Sequence, residues 1–97
     1  MGNPRQKPKR LGGKLRQIRL ALGLSQSEML KRLNVEESIT YHQISGYESG
    51  KREPPLYILC AYADAANVFL DVLARDYLDL PKELPSRTRH EGVKRKR

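Results

Sequence analysis

The stretch Thr40–Gly50, T-Y-H-Q-I-S-G-Y-E-S-G, reads as a short helix built to display its first turn. Thr40 suits the N-cap, because its hydroxyl can accept from the unpaired backbone N–H groups of that turn. Gln43, three residues on, completes a T-x-x-Q capping box by reaching back to the N–H of Thr40. Ile39 before the cap and Ile44 beyond it have the spacing of a hydrophobic staple. Gly50 supplies the left-handed residue that stops a helix. The first turn then displays Tyr41, His42 and Gln43, which are polar, flat and uncharged. Such side chains suit the reading of base edges in a groove, with attraction to phosphate supplied from elsewhere.

Upstream, Leu11, Leu15, Ile18 and Leu22 recur at helical spacing with Lys14, Arg16 and Arg19 between them, and Gly23 ends that helix. Gly12 and Gly13 weaken its start, so the helix is expected to begin near Lys14. Ser25 and Glu28 form an S-x-x-E capping box, Met29, Leu30 and Leu33 give the buried stripe, and Asn34 closes the second helix. Val35–Ser38 is a short acidic link. Downstream, Lys51–Pro55 is a turn with proline suited to helix entry. Leu56, Leu59, Cys60, Ala63 and Ala66 mark a fourth helix, which places Cys60 inside as a small buried hydrophobe. Asn67 breaks it, and Leu70, Val72, Leu73 and Tyr77 indicate a fifth. No strand-like alternation is evident. The expected fold is all-α, a compact bundle of about five short helices over residues 11–80. A flexible basic arm (1–10) precedes it and a flexible basic tail (81–97) follows.

The 97 residues carry a net charge of +8, unevenly placed. Residues 1–19 hold seven bases and no acid, residues 82–97 seven bases and two acids, and the middle five bases and nine acids. Basic arms on a mildly acidic globule point to a polyanionic partner, most often nucleic acid, and solvated tails that aid solubility are the plainer reading. The single cysteine excludes an internal disulfide, and with only His42 and His90 no metal site is expected. No apolar run approaches membrane-spanning length, and no signal peptide follows the basic N-terminus, so a cytoplasmic, nucleoid-associated protein is expected. No nucleophile–base pair, phosphate-cradling glycine loop or paired carboxylates suggest an enzyme, and no cofactor or small-molecule ligand is expected.

Two blocks, Arg19-x-x-x-G-L-S-Q-S-E ending at Glu28 and I-S-G-Y-E-S-G-K-R-E-P from Ile44 to Pro54, together resemble the Xre/Cro-type, lambda-repressor-like helix-turn-helix domain. The resemblance spans about residues 11–80 and implies a supporting helix at Ser25–Leu33 and a recognition helix at Thr40–Ser49. It implies that Gln26 meets phosphate and braces the recognition helix, and that Tyr41 and His42 touch base edges. Gly46 stands at a third base-contacting position but has no side chain to offer. Arg19 and Glu48 match a salt bridge of several relatives, and the fifth helix, around Leu70–Leu80, is where relatives often dimerise. Two departures stand out. The link between the second and third helices is about four residues longer than the basic motif expects, and Leu30 replaces a usual small alanine.

The expected function is therefore a sequence-specific, double-stranded-DNA-binding transcriptional regulator of bacterial or phage type. Tyr41, His42 and Gln43 are the candidate base contacts, and protonation of His42 would make binding pH-sensitive. Candidate phosphate contacts are Arg16, Gln26, Ser27, Lys51 and Arg52, with Arg5, Lys7, Lys9 and Arg10 in the arm. Tyr47 is expected in the core. The alternatives are a protein-interaction module such as an antitoxin or adaptor, favoured by Glu36, Glu37 and the bare Gly46, and a low-specificity DNA binder held by its tails.

Overall fold

A computed structural model describes residues 8–85 and 92–94. Five helices follow in order: α1 (Leu11–Ala21), α2 (Gln26–Leu33), α3 (Tyr41–Ser49), α4 (Leu56–Ala66) and α5 (Leu70–Ala74). Leu15 and Ile18 of α1, Met29 of α2, Ile44 of α3, Ile58 and Tyr62 of α4, and Val72 and Leu73 of α5 are fully buried and form one core. None of these helices is long enough to persist alone in water, so each depends on the shared core.

The local punctuation agrees with the sequence. Ser25 Oγ accepts from the Glu28 N–H at 3.1 Å while the Ser25 N–H donates to Glu28 Oε1 at 2.8 Å. That bonding holds the Glu28 carboxyl below its usual range, the backbone bond being the larger cause. Asn34 and Asn67 take the left-handed conformation at the ends of α2 and α4, and Gly50 takes it after α3 (φ 81°). The long α2–α3 link is a single extra turn. The Ser38 and Ile39 N–H groups both donate to the Val35 carbonyl, and Val35 and Ile39 are buried at its two ends. Leu30 packs half-buried against the core beside it.

Several expectations are corrected. α1 begins at Leu11 rather than near Lys14. The early start depends on Gly12, where a Cβ would stand 2.7 Å from the Glu48 carbonyl oxygen and 2.8 Å from that of Tyr47. Lys14, which falls between the apolar positions of that helix, is 2 % exposed, and its Nζ donates to the carbonyls of Val72 (2.6 Å) and Arg75 (2.8 Å) at the end of α5. Cys60 is exposed, not buried. In α4 the inward face is Ile58, Tyr62, Ala63 and Ala66, and Leu56, Tyr57 and Cys60 face out with Asp64.

The fifth helix is also shorter than expected. It stops at Ala74, Tyr77 lies in a turn, and Leu78–Asp79 forms a strand (β1) paired antiparallel with Val93–Lys94 (β2), Leu78 opposite Lys94 and Asp79 opposite Val93. The β2 approach is close, since a Cβ on Gly92 would stand 2.8 Å from Val72 Cγ2. Two-residue strands carry no alternation, which is why the sequence shows none. Residues of both expected tails thus touch the globule. Pro81 is buried and Leu84 packs on the core. At the other end, the Lys9 and Arg10 N–H groups donate to the Asp76 carboxylate at 3.0 and 3.1 Å, and the Arg10 guanidinium pairs with Asp79 and donates to the Asp76 carbonyl at 2.6 Å.

Candidate nucleic-acid interface

α3 is exposed along one side and locked along the other. Ile44 is wholly buried and Tyr47 is 4 % exposed, as expected of the inward face. Glu48 receives both edges of the Arg19 guanidinium, Nε to Oε2 at 2.7 Å and Nη2 to Oε1 at 3.0 Å. The third Arg19 nitrogen donates to the Leu24 carbonyl at 3.0 Å. One planar fork therefore ties α1, the α1–α2 turn and α3 together. This bonding raises the Arg19 pKa further, the hydrogen bond to Glu48 being the main cause. Gln26 Nε2 reaches Glu48 Oε1 at 3.4 Å, so α2 braces α3 through the same carboxylate. The Tyr62 hydroxyl lies buried nearby without a hydrogen-bond partner among the described residues, and burial holds it protonated far above the usual tyrosine range.

At the N-terminal end, the Thr40 N–H donates to Gln43 Oε1 at 3.1 Å, and the Gln43 side chain also meets the Tyr47 hydroxyl. Gln43 is half-buried and faces inward to hold the first turn, unlike Tyr41 and His42. Tyr41 and His42 are exposed, their ring centroids 4.1 Å apart and their planes tilted by 32°. Ser45, which the sequence reading passed over, is exposed one turn on from them. It follows His42 at i+3, and that spacing was sufficient to find it.

The cationic candidates are spread over the domain, Lys51 and Arg52 in the turn after α3 and Arg16 on a cleft with Leu20, Pro81, Lys82 and Leu84. Arg16, Lys51 and Arg52 are exposed, as are Ser27 and Lys9, and Gln26 is half-buried. Pro8 and Lys9 line one cleft with Ser49, Gly50, Arg52 and Glu53, so the arm enters the domain beside the end of α3. Arg10 is engaged with Asp76 and Asp79 rather than reaching outward. Arg5 and Lys7 lie outside the described residues, as do His90 and the last three residues of the terminal K-R-K-R. Among the described residues no cluster of histidine, cysteine and carboxylate could hold a metal ion, and no helix is long and apolar enough to cross a membrane.

A braced helix followed across a turn by an exposed, polar second helix defines a helix-turn-helix DNA-binding domain. The comparison with known families agrees: the helix-turn-helix model of the Xre and lambda-repressor type matches residues 15–73, and the chain belongs to that family. It is a family of DNA-binding regulators rather than of enzymes. Comparison with curated proteins gives no significant match.

Proposed function

We propose that the chain is a sequence-specific transcriptional regulator that lays α3 in the major groove of double-stranded DNA. The observation that carries this reading is the pairing of an outward Tyr41–His42 surface with an inner side fixed by Ile44, Tyr47 and the Arg19–Glu48 fork. A rigid helix delivers side chains to base edges without first losing freedom, so its contacts go into discrimination. Tyr41 and His42 read bases, and Gln43 holds the turn beneath them. Arg16, Gln26 and Ser27 meet phosphate on one side, and Lys51 and the arm on the other.

Two copies bind a near-palindromic site with half-sites roughly 34 Å apart. Val72, Leu73 and Leu80 belong to the core, so the Leu70–Leu80 segment offers Tyr77 to a second copy, with Phe69 exposed beside it. Such a protein acts at the nucleoid. Binding of the full chain to duplexes enriched from random DNA, followed by fluorescence anisotropy, tests the reading. His42→Ala should relax preference at one or two base pairs, and an unchanged preference removes His42 as a reader.

One observation favours a second reading, a protein-interaction module. Glu36 and Glu37 are exposed on the link that leads into α3, where they repel phosphate. Failure to bind any duplex would favour that reading, and binding without enrichment would favour a low-specificity binder held by its tails.

A further inference from the structure

The outer stripe of α3 has a gap that is filled from outside the helix. His42, Ser45, Gly46 and Ser49 succeed one another at the three- and four-residue spacing of one helical face. Gly46 bears no side chain, yet it is half-buried. A Cβ placed on it would stand 3.1 Å from Arg52 Cδ, 3.2 Å from Cγ and 3.5 Å from Cβ. The stem of Arg52 therefore lies where a side chain at position 46 would begin. The backbone fixes this placement, because the Lys51 and Arg52 N–H groups donate to the Gly46 carbonyl at 3.0 and 3.1 Å.

We infer that Arg52 supplies the side chain that position 46 lacks and is a third sequence-reading residue, taking a guanine edge about one helical turn beyond His42. The inference rests on the DNA-reading function proposed above. A guanidinium presents two parallel donors that match N7 and O6 of guanine, a fit that a lysine ammonium does not reproduce. A stem already laid along a helix loses little further freedom on binding, so the contact is prearranged. Gly46 is what gives the stem this seat: an added methyl meets it closer than ordinary contact, so the stem must shift by a few tenths of an ångström.

The test uses the full chain, the duplex it enriches and every single-base-pair variant of that duplex, at two salt concentrations. The wild type should prefer guanine at one position by about tenfold or more. Arg52→Lys keeps the charge and should lose that preference alone. Gly46→Ala should weaken preference at the same position, with helix content by circular dichroism retained or raised. The inference is overturned if Arg52→Ala weakens all sequences alike and Arg52→Lys restores them, the behaviour of a phosphate contact. It is equally overturned if Gly46→Ala leaves the preference intact. Loss of preference in His42→Ala without any change in the Arg52 and Gly46 variants would sink this assignment and leave the DNA-reading function standing. A wild type that enriches no motif would sink both.

Discussion

Arg19 and Glu48 meet edge to edge, 2.7 and 3.0 Å apart, with 12 % and 5 % of their side chains exposed. The pair joins the first helix to the helix proposed to read DNA, so its loss should reach both stability and binding. Glu48→Gln leaves a guanidinium half-paired in a dry place, which costs roughly 2–4 kcal/mol by analogy with broken buried pairs. For a domain of this size that lowers Tm by about 10 °C or more. Thermal denaturation followed by circular dichroism checks it, and a change under about 4 °C would show the pair to be solvent-screened.

Gly12 and Gly13 are adjacent in α1 yet should respond oppositely to alanine. At Gly13 an added Cβ meets nothing within 4 Å, so the gain in helix propensity stands, about 0.5–1 kcal/mol. At Gly12 the same methyl collides with the backbone of Tyr47 and Glu48, and separating the helices costs about 1–3 kcal/mol. Denaturant midpoints of the two variants should fall on opposite sides of the wild type.

Lys14→Met should destabilise the domain although it replaces a buried charge by an apolar side chain of similar length. The ammonium serves the Val72 carbonyl, which the end of α5 leaves without a helical partner, and the Arg75 carbonyl, which also accepts from the Leu78 N–H. Left unpaired, the buried Val72 carbonyl costs about 1–3 kcal/mol. Urea denaturation measures this, and a variant as stable as the wild type would show that water replaces the ammonium.

The clasp between the start of α1 and Asp76 should make stability fall in acid. The Lys9 N–H, and then that of Arg10, hold the Asp76 carboxyl below its usual range. A depressed carboxylate contributes stability that is present above its unfolded pKa and lost as pH falls through the folded one. The Glu28 carboxyl in the α2 cap has the same sign. Asp76→Asn combined with Glu28→Gln should therefore lower stability at neutral pH and flatten its decline between about pH 5 and pH 2. Denaturant midpoints across that range decide it.

Helix boundaries were legible wherever a side chain acts on its own backbone. Both capping boxes and the stops at Gly23, Asn34, Gly50 and Asn67 are local chemistry, written within a few residues. The Arg19–Glu48 pairing was legible only through the family resemblance. Lys14 was not, because nothing near it in the chain indicates that carbonyls 58 and 61 residues away will close over it. Cys60 was misplaced because α4 is apolar nearly all round, and only Asp64, one turn on, marks its outer face. At the site, the exposure of Tyr41 and His42 followed from the cap. The seating of Arg52 over Gly46 depends on a turn that sequence spacing does not resolve.

The central claim is that α3 reads base sequence as part of a symmetric pair. Selection from random duplex DNA with the full chain, sequenced and repeated at low and high salt, tests it most directly. The account predicts a paired motif whose halves are centred about one helical turn apart and whose enrichment survives the higher salt. Binding that vanishes with salt and enriches no motif would contradict it.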